Sequence, residues 1–224
     1  MPAGAVVLDI EGTTSSAAHV TEVLYPYARA RYAAWLAVHG DEPAVRAQLD
    51  AVAGSGTDVV ATLQRWTDED RKETALKAIQ GWIWDEGFSA GELTSHFYPD
   101  VAPALRRWHA AGRGLWVFSS GSVTAQRAWF AHGPDGDLTA LIRGWFDTET
   151  AGPKREPTSY ARIAAVIGVT PITFLSDVAA ELDAARSEGW TTIGVRRPGE
   201  PPPAAAMGDH TVVGSFDEVD ALLA

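Results

Sequence analysis

Ala5-Val6-Val7-Leu8 followed by Asp9-Ile10-Glu11-Gly12-Thr13-Thr14 is the stretch around which this chain is organised. An apolar, β-branched run that stops at a carboxylate reads as a buried strand delivering its last side chain into a crevice. In open α/β sheets that crevice, just past the carboxyl ends of the strands, is where ligands bind. Asp9 and Glu11 are two positions apart, so a continuing strand would set both carboxylates on one face. Gly12 would then turn the chain sharply over whatever they hold. Taken alone, the pattern is more often a strand end closed by an Asp and a Gly turn. What lies further along decides.

At 224 residues the chain is long enough for one domain with a sizeable insert. Its net charge of −11 argues against a nucleic-acid or anionic-membrane partner, either of which would need a basic surface. An acidic chain that takes an anionic small molecule must do so locally, with a metal ion or a few placed cations. With no cysteine there is no disulfide, thiolate zinc site or cysteine nucleophile. The first apolar run ends at Asp9 without a basic leader, and no stretch approaches the roughly 18 apolar residues of a membrane span. A cytoplasmic protein is expected, and a monomer.

After Thr14 the pattern is helical for about eighty residues. Pro26 sits in the first turn of a helix that runs to His39, and Gly40 ends it. Asp41 caps the next helix, Gly54-Ser55-Gly56 reads as a linker, and a longer helix carries Leu76, Ile79 and Ile83 to about Gly87. Ser89 with Glu92 reads as a capping box for a short helix toward His96. Residues 17–92 are therefore expected to be a helical cap inserted into a core of residues 1–16 and 93–224. Beyond it, strands at Leu115–Phe118, Ile142–Phe146, Ile172–Leu175 and Thr191–Val195 alternate with helices, and Thr211–Val213 offers an edge strand. Glu200–Ala206 reads as a connector, and Ser215 with Glu218 as the cap of the last helix. The fold class is α/β, a Rossmann-like parallel sheet flanked by helices.

Three buried strands end in small polar motifs: Asp9…Glu11, Ser119-Ser120-Gly121 and Ser176-Asp177, with Lys154 between the last two. Phosphate-ester hydrolysis needs those parts. A carboxylate can attack phosphorus and form an aspartyl-phosphate. Magnesium takes one or two carboxylates plus carbonyls and waters. Hydroxyl, amide and ammonium donors meet the phosphoryl oxygens. A second acid protonates the leaving alkoxide and then activates water. Each piece alone is a helix cap or a surface cation; their joint occurrence at strand ends, in this order, points to a site.

That order, with a helical insert after the first strand, resembles the haloacid-dehalogenase superfamily of phosphatases. Asp-Ile-Glu-Gly-Thr-Thr, with Glu11 where most members carry Asp, looks like one branch, the enolase-phosphatases of methionine salvage. The similarity extends to Leu24-Tyr-Pro-Tyr27, Tyr98-Pro-Asp-Val101, Ser119–Gln126, Phe174–Val178 and Val195–Gly199. The resemblance implies a haloacid-dehalogenase-like core and one Mg2+ per chain. It implies a small phosphorylated metabolite as substrate, 2,3-diketo-5-methylthiopentyl-1-phosphate, which is enolised and then dephosphorylated. By the same resemblance Asp9 is nucleophile and metal ligand. Glu11 gives its backbone carbonyl to the metal and its side chain to acid/base work, and Asp177 is the remaining ligand. Ser119, the amide of Ser120 and Lys154 hold the phosphoryl group. Glu181 either orients metal waters or is a solvated helix residue.

His19 stands where the family pattern has an aromatic, usually Phe, and Pro153 where Gly or His is expected. Trp82 and Trp84 could face the substrate or simply pack. Three rivals stand beside the main reading: a phosphatase of another metabolite without enolisation, a dehalogenase, and a silent binding module on the same scaffold.

Overall fold

The computed structural model describes residues 4–53, 58–200 and 206–223, so the Gly54–Gly56 linker and residues 201–205 of the connector lie outside the described residues. Six strands form one sheet: β1 (Ala5–Leu8), β2 (Gly114–Phe118), β3 (Ile142–Phe146), β4 (Ile172–Ser176), β5 (Thr191–Val195) and β6 (Thr211–Val213). Every pairing is parallel, in the order β3-β2-β1-β4-β5-β6. β1 is central and buried along its whole length, which is why its sequence is unbroken apolar rather than alternating. Val6 and Leu8 feed one apolar cluster, Ala5 and Val7 the other. The strand order reverses at β1, the crevice position of doubly wound sheets.

Between β1 and β2 the chain makes helices α1 (Ala17–His19), α2 (Tyr25–His39), α3 (Pro43–Ala53), α4 (Val59–Asp68), α5 (Thr74–Ser89) and α6 (Val101–Ala110). Val20–Leu24 is a π-helical turn that joins α1 to α2 and buries Val20 and Leu24. Pro26 lies in the first turn of α2, as expected. The Tyr32 hydroxyl meets Thr67 Oγ1 at 2.7 Å and accepts from Gln80 Nε2 at 3.2 Å, tying α2, α4 and α5 together in the interior. The sheet's helices are completed by α7 (Val123–Ala131), α8 (Pro157–Ile167), α9 (Ala179–Ser187) and α10 (Phe216–Leu222). No helix among the described residues is long and apolar enough to cross a membrane.

One local expectation is corrected, and the strand extension that would have set Asp9 and Glu11 on one face does not form. No short helix runs from Ser89 toward His96: Ser89 ends α5, Ala90 donates to the Glu86 carbonyl, and residues 93–98 form no helix or strand. Glu92 accepts from the Tyr27 hydroxyl and Arg31 instead of closing a capping box. Nor does the first strand continue to Glu11. It stops at Leu8, and the amides of Thr13, Thr14 and Ser15 all converge on the Ile10 carbonyl in a tight turn. Glu200, read as part of an idle connector, accepts from the Tyr98 hydroxyl at 2.5 Å.

α5 meets α7 across a close seam. A Cβ at Gly81 would lie 2.4 Å from Ser122 Oγ, the hydroxyl that caps α7 by accepting from the Ala125 amide. In an open helix Gly→Ala adds up to about 1 kcal/mol of stability. Gly81→Ala should instead displace the cap and lose about 1–2 kcal/mol, read as a lower urea midpoint. A midpoint equal to or above wild type would mean the seam is not tight.

Candidate active site

The sheet register assembles the site. Leu8 is level with Val117 of β2 and Leu175 of β4, so Asp9 leaves its strand where Ser119 and Asp177 leave theirs. The Asp9 amide still donates to the Leu175 carbonyl (3.0 Å), and the Ser119 amide to the Phe146 carbonyl (3.2 Å). Lys154 arrives from the loop after β3. The Tyr160 hydroxyl holds its carbonyl at 2.7 Å, and Ser159 Oγ holds that of Pro153 at 2.8 Å, so the start of α8 fixes the lysine.

Lys154 Nζ lies 2.7 Å from Asp9 Oδ1 and 2.7 Å from Glu181 Oε2. Ser176 Oγ reaches Asp9 Oδ2 at 3.3 Å and Glu181 Oε2 at 3.0 Å, and the Ile10 amide donates to Asp9 Oδ1 at 2.7 Å. Asp9 thus has one oxygen on an ammonium and an amide, the other beside a hydroxyl. Gly12 has φ +72°, and a Cβ there would come 2.4 Å from Asp177 Oδ2, so the turn after Asp9 lies directly against the Asp177 carboxylate.

Burial and crowding set the charges. Desolvation pushes Asp9 up to about 6, with Lys154 opposing and Glu181 adding. Asp177 is pushed up to about 8 by burial and then by the charge of Asp9. Burial pulls Lys154 down, but Asp9 and Glu181 more than offset it, and its pKa is raised.

These groups open on a cleft of about 220 Å³ lined by Asp9, Glu11, Ser119, Ser120, Lys154, Asp177 and Glu181, with Ala17 from α1 and Lys72 from the loop between α4 and α5. The structure therefore brings together the candidate catalytic, metal and phosphoryl residues Asp9, Glu11, Ser119, Ser120, Lys154 and Asp177. Ser119 Oγ accepts from the Gly121 amide at 3.3 Å, and Gln126 Nε2 ties the carbonyls of Gly121 and Phe146 together, fixing that loop. A second, narrow cavity begins at Glu11 and Ser119 and runs between Val20, Leu24, Trp84, Phe88 and Trp129, with Lys77 and Gln126 on its wall. Trp84 lines it; Trp82 stacks on Trp35 instead.

Of the two readings of Glu181, the solvated one is excluded: it is buried and paired. Ser176, read only as a strand end, is the hydroxyl between Asp9 and Glu181; its place just before Asp177 was the available signal. Lys77, inside the helix marked by Leu76, Ile79 and Ile83, was not singled out, and nothing in its spacing set it apart.

Fold and cleft together define a phosphatase-type α/β hydrolase, and the comparisons agree. Residues 3–189 match the family model for haloacid dehalogenase-like hydrolases. The chain belongs to that family and, within it, to the enolase-phosphatases. It is 55% identical to Enolase-phosphatase E1 of Streptomyces avermitilis over 94% of this chain and 92% of that protein. It is 57% identical to Enolase-phosphatase E1 of Frankia alni, over 95% and 93%. Among solved structures, the UTR4 protein of Saccharomyces cerevisiae superposes with a TM-score of 0.77 at 30% identity, covering 95% of this chain and 98% of that one.

Two outcomes follow from this geometry. Lys154→Ala leaves Asp9 and Glu181 without their ammonium, and turnover should fall by roughly 10²–10³-fold, as when a fixed donor to a developing oxyanion is removed; wild-type turnover would make Lys154 a bystander. The second concerns pH. A carboxyl whose pKa is raised in the folded state stabilises the fold at low pH, and that stability is lost as pH climbs through the folded pKa. In chelator, the melting temperature of wild type relative to Asp177→Asn should therefore fall from the ordinary carboxylate range, near 3.8, to about 8. A difference that stays flat over that range would contradict the burial of this carboxyl.

Proposed function

We propose that this chain is a magnesium-dependent enolase-phosphatase that converts 2,3-diketo-5-methylthiopentyl-1-phosphate to its acireductone and phosphate, through an aspartyl-phosphate on Asp9. The carrying observation is the constellation of Asp9, Ser119 and Asp177 at the ends of three parallel strands with Lys154 from the loop before α8 and Glu181 from α9, beside an apolar cavity entered at Glu11. The residues present fit one Mg2+. Asp9 and Asp177 crowd each other's charge, Gly12 leaves room beside Asp177, and by the family resemblance the carbonyl of Glu11 would add a third oxygen. Among the described residues no group of three or more His, Cys, Asp and Glu is placed to hold a metal, and magnesium needs no such cage, since it keeps several waters. When bound, it neutralises charge on the phosphoryl oxygens.

The chain's own groups then divide the work. Lys154, the Ser119 hydroxyl and the Ser120 amide hold the phosphoryl oxygens, and Lys154 with Ser176 keeps Asp9 aimed. Glu11, in the turn between the two cavities, removes a proton from the carbon that bears the phosphate. It then passes that proton to the leaving oxygen as the Asp9 carboxylate takes phosphorus, and finally activates the water that frees Asp9. Glu181 fixes Lys154 and Ser176. Residues 17–92 act as a cap over this core, residues 1–16 and 93–224. We read the protein as a cytoplasmic monomer with no nucleic-acid or membrane partner.

Asp9→Asn keeps the shape and removes the nucleophile. With magnesium present it should turn the diketone phosphate into an enol, seen by ultraviolet absorbance, and release no phosphate. Glu11→Gln should slow phosphate release by roughly 10²–10⁴-fold, the usual worth of general acid–base catalysis. Asp177→Asn should weaken magnesium binding in calorimetry and recover part of its activity at high metal. Wild-type enzyme that hydrolyses simple phosphate esters yet never forms the enol would remove the enolase half of the reading, and full activity in chelator would remove the magnesium.

A further inference from the structure

The apolar cavity contains a charge that the phosphatase chemistry does not use. Lys77, in the first turns of α5, is only 8% exposed, and no carboxylate is recorded within ion-pair distance of its ammonium among the described residues. Its Nζ donates to the Tyr25 hydroxyl at 2.8 Å and stands 4.7 Å from the centre of that ring; the hydroxyl in turn donates to Asp70 Oδ1 at 2.6 Å. A buried ammonium bonded to a neutral hydroxyl retains donor capacity, which is costly unless something accepts it. Lys77 lines the cavity that starts at Glu11 and Ser119, and also the small one that holds Ser120. The same wall carries two more buried polar atoms with no partner among the described residues, Trp129 Nε1 and Gln126 Oε1. Beyond them the lining is Val20, Leu24, Trp84 and Phe88.

We propose that Lys77 is the catalytic electrophile of the enolisation: its ammonium takes the ketone oxygen next to the phosphate-bearing carbon, and the aliphatic and aromatic lining takes the uncharged tail. This rests on the enolase-phosphatase reading above and deepens it. Phosphoryl binding at Asp9, Ser119 and Lys154 fixes one end of the substrate, and the adjacent carbonyl must then lie toward Glu11 and the second cavity. Glu11 takes the proton as the C–H bond breaks. That electron pair becomes the C=C bond, and the carbonyl π pair moves onto oxygen. Lys77 passes a proton to this oxygen, leaving a neutral amine that is reprotonated from solvent, while Glu11 keeps the carbon's proton for the leaving group. Burial, with Lys72 adding, lowers Lys77 to about 8, which suits a donor that must release a proton in the cycle. In this low-dielectric cavity a fixed donor at a developing oxyanion is worth far more than the same donor in water.

The experiment isolates enolisation in the Asp9→Asn background, following enol absorbance from the diketone phosphate. A parallel arm follows hydrolysis of p-nitrophenyl phosphate, which has no ketone, with Asp9 intact. Adding Lys77→Met should slow enol formation by roughly 10²–10³-fold, while aryl-phosphate hydrolysis falls much less. Lys77→Gln, neutral but able to keep the Tyr25 bond, should match Met, and Lys77→Arg should recover part of the loss because it retains the charge. Enol formation as fast without Lys77 as with it overturns this inference and leaves the enolase-phosphatase reading intact. Equal losses in both arms, or recovery by Gln rather than Arg, likewise overturn it, since Lys77 would then act through packing. If Asp9→Asn with Lys77 present forms no enol, the enolase reading itself fails, and this inference with it.

Discussion

One buried ammonium organises the catalytic end of this molecule. Lys154 is held between Asp9 and Glu181 at 2.7 Å each, with almost no exposure. Burying charges costs several kcal/mol per ion unless geometry and further hydrogen bonds compensate. Here Ser176, the Ile10 amide and the α8 contacts to the loop of Lys154 supply those bonds. The balance is still incomplete. Asp177 adds a further carboxylate beside this buried ammonium, and the pKa values of Asp9 and Asp177 are raised by burial first and by neighbouring carboxylate charge after it. A divalent cation, as proposed, would offset it, as would a substrate whose phosphoryl oxygens draw Lys154 from Asp9. In the mechanism proposed above, the resting ion pair holds the place of the phosphoryl group and keeps Asp9 aimed.

How much of this was legible depended on whether a property is local. The strands were readable because burial on both faces of a parallel sheet demands unbroken β-branched and apolar runs, and Thr191–Val195 is found at the bounds expected for it. The strand-end placement of Asp9, Ser119 and Asp177 followed from the same logic. Three features did not follow. The turn that carries Glu11 depends on three amides converging on the Ile10 carbonyl, a choice that two-residue spacing cannot reveal. The π-helical turn at Val20–Leu24 shifts the phase of the helix by a residue, which periodicity reads as noise. Lys154, Glu181 and Lys77 look like solvated charges in any short window, since burial of a charge is decided by partners distant in sequence.

His19 illustrates the last point from the other side. Expected from the resemblance to replace an aromatic, it contacts the Thr94 carbonyl through Nε2 at 3.2 Å, stacks on His96 at 5.8 Å and meets the edge of Trp129 at 5.3 Å. Burial, with the neighbouring imidazole adding, lowers its pKa and favours the neutral ring. His96, assigned nothing from its spacing, accepts at Nδ1 from the Ser16 amide, 3.1 Å away, at the start of the inserted helices. The pair joins the entry of the insert to its exit. A neutral imidazole packs flat as an aromatic ring does and adds one hydrogen bond, so it supports the joint without charging it.

That joint bears on how two chemistries share one site. The larger apolar cluster is continuous from Val6 and Leu8 in the sheet through Ile10, Val20 and Leu24 to Tyr32 and Trp35 in the inserted helices. Glu11 lies in the turn where this cluster meets the polar cleft, and it lines both cavities. On the phosphoryl side the groups are fixed by strand ends, which hold position well, as displacement at phosphorus requires. On the side where the ketone is proposed to lie they come from α5 and the π-helical turn, whose position relative to the sheet depends on side-chain packing and on close contacts such as Gly81 against Ser122. A phosphatase without enolisation needs only the first set. A second polar wall, apolar beyond and carrying its own ammonium, is what an additional proton transfer at carbon requires, and in this chain it stands on the far side of Glu11.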